Sequence, residues 1–376
     1  MQHDREAFLA TVAPGDRAFE RDQTALFEGW AGVHPSTYDL EAQWDRAGDL
    51  VRPMDVARYP DADAVSIPVT EERYRLAGFD RSPAVEDLYL TFVRIDGRWY
   101  VASDDDLAAV GLRSTRHLWE RAPVESETSG RFRLMGHRCS SAGASCPVTA
   151  HDYLGSGRAA LARVDEYWRY PWNRRLVMMV PNDADELKAM IQATFDVDSF
   201  VAFAYANIDP ERGFRYVGDR IILNPGGFAG RTQDEVVEIL AHEMLHVATR
   251  AVSGPFVPVW LDEGLADYVG SDASPTALDF FEGALARGLV TGTIPRDYSF
   301  MTGTGTQIYL SYQTAQSAVR FFIDRWGRAR LERLYRLLGS RRIAAGTARF
   351  HVDRAFHRTT GHGFAGFQRA WADSIH

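Results

Sequence analysis

Apolar and polar positions divide the chain into an early part of short helices and strands and a late part that is helical almost to its end. Residues 5–32 read as two short helices broken at Pro14-Gly15, and residues 64–76 (AVSIPVTEERYRL) read as partly extended. In VEDLYLTFVRIDGRWYVASD, 85–104, Leu88, Leu90 and Phe92 alternate with polar or smaller neighbours. Asp96-Gly97 then supplies a tight turn, and Trp99 and Val101 follow on a returning strand, which predicts a hairpin. A short helical piece and a linker-like stretch over 105–128 place a domain boundary near residue 125, giving domains 1–125 and 126–376.

Beyond that boundary, an extended segment starts at Arg131 and a helix over 160–171 ends at Pro171. RRLVMMVP (174–181) reads as a strand, ADELKAMIQA as a helix, and FVAFAYAN (200–207) as another strand. FRYVGDRIILNP (214–225) reads as two more strands around Gly218-Asp219. This order predicts a small mixed sheet with helices on one face. From residue 232 the helical pieces are 232–251, 259–269, 275–287, 304–326, 328–338, 341–349 and 363–374. Gly254-Pro255, Pro258 and Gly270 punctuate them.

Composition narrows the class. With 45% apolar and 25% charged residues in 376, the chain is globular rather than disordered. Its formal charge, 42 minus 51 or −9, argues against nucleic acid as a main partner. No run of 18 apolar residues is present, so no transmembrane helix is expected. The start, MQHDREAFLATV, lacks the basic and apolar regions of a signal peptide, so either the protein is cytosolic or an export or anchor segment lies outside these residues. Cys139 and Cys146 in HRCSSAGASCPV can close a small disulfide loop, which would fit an oxidising compartment; two free thiols are the plainer alternative. Their spacings to His137 and His151 match no usual zinc motif.

The chemistry concentrates in AHEMLHVATR, 241–250, and WLDEGLADY, 260–268. Val236, Ile239, Leu240 and Met244 recur at helical spacing, and His242 and His246, four apart, face the same way on such a helix. Two neutral imidazoles are a suitable pair of zinc ligands, and a third protein ligand leaves one position open for water. Glu263, seventeen positions beyond His246, is the candidate third ligand, with room between for a turn and an antiparallel return. Gly264 keeps the backbone beside it slim, and Asp267, one turn further, can accept a hydrogen bond from a liganding histidine, His242 in this reading. Glu243 is placed as the base that takes a proton from water at the metal and passes it to a leaving amine. Tyr309 and Tyr312, in QIYLSYQTAQSAVRFF, are candidate donors to a tetrahedral oxyanion, against the plainer role of packed core tyrosines. RIILNP suggests a cleft wall, with Asn224 bonding substrate backbone; an ordinary strand end is the alternative.

These residues resemble the gluzincin metallopeptidases, and residues 130–376 resemble the peptidase MA-like domain of bacterial proteins, whose two-histidine helix is followed by W-L-x-E-G-x-A-x-Y. The resemblance implies Zn2+ held by His242, His246 and Glu263, with Glu243 as base, Asp267 behind a ligand, and Tyr312, in YQTAQSAV, pointing into the cleft. It implies a thermolysin-like zincin domain with a small mixed sheet and a mainly helical C-terminal part. GRARLERLYRLLG and the terminal FAGFQRAW are also similar to these domains. The G-A-M-E-N segment with which related aminopeptidases grip a free amino end is absent, so endopeptidase action on a peptide or protein is the expectation. The first 125 residues resemble a cone-shaped NTF2-like (SnoaL-like) α+β domain, making the whole an α+β protein. Related architectures are exported or attached to the cell envelope. The competing expectations are a non-catalytic or narrow-specificity zinc-containing binding or assembly protein of the envelope, and hydrolysis of another amide.

Overall fold

A computed structural model describes residues 4–137, 153–209, 215–254, 256–271, 275–339 and 348–375. The chain divides into two compact units, one of Met1–Leu154 with Arg175–Ala229, the other of Gly155–Arg174 with Gly230–His376.

Among its described residues the first unit carries three sheets. Strands β1 (Pro35–Ala42), β3 (Thr70–Leu76) and β4 (Ala84–Leu88) form an antiparallel sheet in the order β1-β3-β4. Strands β2 (Ala64–Ser66), β5 (Thr91–Ile95) and β6 (Arg98–Ser103) form a second, in the order β2-β5-β6. The third has five strands, β10 (Ala202–Asp209), β11 (Arg215–Leu223), β9 (Leu176–Val180), β8 (Phe132–His137) and β7 (Val124–Ser129), in that spatial order. Its inner pairs are parallel and its outer pairs antiparallel, so it is the mixed sheet the sequence predicts. β9, Leu-Val-Met-Met-Val, is buried throughout, as an uninterrupted apolar run between parallel neighbours should be.

The hairpin forms at its predicted turn, with Asp96 and Gly97 both at positive φ, 52° and 77°, the backbone that a two-residue turn between twisted strands requires. The cone-shaped NTF2-like sheet expected for the first 125 residues is not found. The first arm of the predicted hairpin is split: β4 pairs with β3, whereas β5 pairs with β2 and β6. Between them the Tyr89 amide donates to Ser114 Oγ at 2.9 Å, so the ladder is broken by a side chain and the two sheets stay separate.

A hydrophobic core joins the β1-β3-β4 sheet to the five-stranded sheet. Tyr74, Leu76, Leu118 and Trp119 pack with Met135, Val177, Met179 and Ile222. Strands β3 and β4 therefore share their interior with the mixed sheet. A buried ion pair adds to it: Arg220 of β11 donates to both carboxylate oxygens of Asp80, at 2.7 and 3.0 Å, and Asp80 Oδ2 also accepts from the Leu76 amide. β11 itself is a single strand where the sequence suggested two. Gly218 at φ 65° bends it without ending it, and a Cβ there would stand 2.6 Å from that of Ala84. Glycine satisfies both constraints at once.

The second unit is helical. The Gln233–Thr249, Val259–Ser271, Gly305–Trp326, Arg328–Leu338, Ala348–Thr360 and Phe364–Ile375 helices pack around Trp260, Phe322, Phe356, Phe367 and Trp371. Trp260 stacks on Phe367 with centroids 5.8 Å apart. A helix spans Ala348–Thr360, mostly between the predicted pieces 341–349 and 363–374; residues 341–347 lie outside the described residues. No described helix is long and apolar enough to cross a membrane. The disulfide expected between Cys139 and Cys146 is withdrawn: no disulfide is present among the described residues, and both cysteines lie outside them. Close spacing permits such a bridge but does not enforce it.

Asp80→Ala leaves the Arg220 guanidinium buried without its partner, so the first unit should lose about 3–5 kcal/mol. Urea unfolding followed by tryptophan fluorescence checks this through a lower midpoint; an unchanged midpoint would refute it.

Candidate metal centre

The first site helix, Gln233–Thr249, opens with a reciprocal cap. The Thr232 amide donates to Glu235 Oε2 at 2.7 Å, and the Glu235 amide donates back to Thr232 Oγ1 at 3.3 Å. Val236, Leu240, Ala241, Met244 and Leu245 are buried, which fixes the rotation of the helix and leaves His242 and His246 on its open side. The second, Val259–Ser271, is anchored by Trp260, Leu261 and Leu265. Two glycines let it approach both neighbours closely. A Cβ on Gly270 would meet Glu238 O of the first helix at 2.8 Å, and a Cβ on Gly264 would meet Ala315 O of the Gly305–Trp326 helix at 2.6 Å.

This approach brings three donor atoms together. His242 Nε2 and His246 Nε2 are 3.2 Å apart, and Glu263 Oε2 stands 3.3 Å from the first and 3.4 Å from the second. Around a tetrahedral zinc with bonds of about 2.0–2.1 Å, neighbouring donors lie about 3.3–3.4 Å apart. The triangle therefore has the size of one face of such a coordination shell, and its donors, two nitrogens and a carboxylate oxygen, suit zinc. The three side chains are 12–20% exposed, enough to leave the face open on one side.

Each imidazole has a carboxylate behind it. His242 Nδ1 is 2.8 Å from Asp267 Oδ1, and His246 Nδ1 is 3.5 Å from Asp262 Oδ1. Asp262 in turn accepts a hydrogen bond from the Tyr335 hydroxyl at 2.6 Å. Asp262 and Tyr335 were not singled out in the sequence. Asp262 is adjacent to Glu263 and reads there as one more helical acid. Tyr335 is 73 positions away, among the apolar positions of its helix, with no local signal for its partner. Burial by itself lowers the His242 imidazole, but the Asp267 hydrogen bond and Glu263 outweigh it and lift its pKa to about 10. Burial opposes ionisation of Glu263 as well, yet the two histidines hold its carboxyl well below the usual range. These groups are strongly coupled, and the direction is that of a site selecting positive charge.

Glu243 lies between the two histidines in the chain and is 7% exposed. Its carboxylate is near enough to raise the pKa values of both His242 and Tyr312. The Tyr312 ring centroid is 6.2 Å from that of His242, and Phe300 meets it edge-on at 5.2 Å. Burial first, and then Glu263, Asp267 and Glu243, push the Tyr312 phenol well up, so it keeps its proton and can donate. Tyr309 instead packs on Phe280 with centroids 4.6 Å apart and is 39% exposed. Asn224 belongs to the first unit. It is 4% exposed, and its amide nitrogen donates to Val197 O at 3.2 Å and Phe200 O at 2.8 Å.

Comparison with known proteins bears on the same segment. No curated protein and no solved structure matches the chain. Residues 227–376 match the family model described as the peptidase MA superfamily, so that a peptidase MA-type domain spans both site helices and the helices that follow them.

Proposed function

We propose that this chain is a zinc-dependent peptidase that cleaves within peptide or protein substrates. The observation that carries the reading is the triangle of His242, His246 and Glu263 donors, with Glu243 on the same helix turn as the two imidazoles. The peptidase MA-type match over residues 227–376 supports peptides as the substrate class. The G-A-M-E-N segment with which related aminopeptidases grip a free amino end is absent from the sequence, which favours internal bonds over terminal ones.

A zinc ion bound by these three residues supplies Lewis acidity toward the scissile carbonyl and makes water acidic enough to ionise near neutrality. The remaining steps belong to the chain. Glu243 takes a proton from the attacking water as its oxygen bonds to the carbonyl carbon. It delivers that proton to the amide nitrogen as the C–N bond breaks, leaving a carboxylic acid and an amine. Tyr312 donates to the oxygen that gains negative charge in between. Asp267 keeps the proton of His242 on Nδ1, directing Nε2 toward the other donors; Asp262, held by Tyr335, does the same for His246.

Glu243→Gln should lower cleavage of a broad peptide library by about 10²–10⁴-fold, with zinc content by mass spectrometry unchanged. Zinc-loaded wild type with no cleavage across diverse peptides would move the reading to a binding protein. Tyr312→Phe should lower kcat by about 10²-fold with little change in KM; a change confined to KM would mean that the hydroxyl only binds substrate. Asp267→Asn should weaken zinc affinity by about 10–100-fold, measured by competition with a chromophoric chelator.

A further inference from the structure

We propose that Glu72, Glu86 and His117 form a second, structural site for a divalent first-row transition cation, zinc foremost, inside the first unit.

Strands β3 and β4 place Glu72 directly opposite Glu86 in their antiparallel register, and the two side chains are 3% and 4% exposed. Like charges directly opposite on a sheet repel, and burial strengthens the repulsion. The next pair in the same register, Glu71 and Asp87, presents the same problem on the other face and shows the usual solution. Arg46 reaches Asp87 at 2.7 Å and Glu71 at 3.7 Å, and Arg73 also pairs with Glu71. Among the described residues, no guanidinium forms an ion pair with Glu72 or Glu86. Arg220, which lies near Glu86, is committed to both oxygens of Asp80.

What faces them is an imidazole. His117, 7% exposed, puts Nε2 2.5 Å from Glu72 Oε2 and 3.9 Å from Glu86 Oε2. One donor atom from each of the three residues falls within 4.8 Å of the others. Glu86 Oε2 is buried and makes no hydrogen bond of ordinary geometry among the described residues, although the Asn207 side chain lies close to this carboxylate. A protonated His117 leaves the trio at a net charge of −1. A neutral imidazole with a divalent cation brings it to zero. Both carboxylates also meet a tyrosine: the Tyr74 hydroxyl is 3.3 Å from Glu86 Oε1, and Tyr38 hydrogen-bonds Glu72. Trp119 stacks on the imidazole at 4.3 Å and Tyr74 meets it edge-on at 5.5 Å, which walls the cluster with aromatic rings.

One imidazole and two carboxylates favour a first-row transition ion over magnesium or calcium, which prefer all-oxygen shells. Burial points to a structural role rather than a hydrolytic one. The cation would tie β3 and β4 to the Leu118–Arg121 turn that carries Trp119 into the core.

The test uses the full chain, stripped with a chelator, reloaded with zinc chloride alone and passed through gel filtration before metal analysis. Wild type should retain near two zinc ions per chain. His246→Ala, which disables the histidine pair in the second unit, should retain near one. His246→Ala combined with Glu86→Gln should retain almost none, and the zinc-dependent rise in thermal midpoint seen with His246→Ala should vanish. Glu86→Gln keeps side-chain size and removes a buried charge, so folding is preserved, and circular dichroism checks this. Near one ion in wild type with almost none in His246→Ala would overturn the proposal, as would a count indifferent to Glu86→Gln. These readouts do not depend on peptidase activity.

Discussion

The distance between two helices governs the metal centre. A single helix can aim two imidazoles in one direction, but the third donor must come from elsewhere, and its position is only as good as the packing that sets it. Here the Val259–Ser271 helix lies against one neighbour at Gly270 and another at Gly264, where any side chain would meet a backbone carbonyl. Those two contacts carry Glu263 to within 3.4 Å of both imidazole nitrogens. Asp262 and Asp267 travel with it, so one helix delivers a ligand and the groups that orient both other ligands. Binding energy is then spent on the ion rather than on assembling the site.

Charge is handled differently in the two units. In the second, the carboxylates cluster around imidazoles that remain partly exposed, an arrangement that favours a cation and leaves room for a substrate. In the first, buried acids are matched one by one, Asp80 by Arg220 and Glu71 by Arg46 and Arg73. Glu72 and Glu86 stand out because that matching is incomplete.

The site was more legible in the sequence than the fold was. His242, His246, Glu263 and Asp267 lie on two neighbouring helices, where spacing translates directly into direction, so local periodicity was enough to group them. Tyr335 could not be found that way, because its hydroxyl meets Asp262 across a tertiary contact with no local trace. Strand existence was also legible, down to the positive-φ turn at Asp96-Gly97. Strand partnership was not. Nothing in Leu88–Thr91 says that pairing passes from β3 to β2 and β6, since that choice depends on Ser114 and on a core built with residues of the mixed sheet. A fold inferred from a long alternating run was lost at that one break.

The order of segments in the chain has a consequence for how the protein is made. The first unit takes residues up to Leu154, releases Gly155–Arg174 to the second, and then resumes through Ala229. During synthesis its core cannot close until β9 and β11 have left the ribosome, since Val177, Met179 and Ile222 are part of it. The Tyr153–Tyr167 helix meanwhile emerges long before the helices beyond Gly230 that complete its unit. Such interleaving raises the sequence separation of native contacts and slows folding. It also leaves an early helix without its apolar partners until Arg175–Ala229 and then the helices beyond Gly230 have been made, a window in which chaperones would matter more than for two units laid end to end.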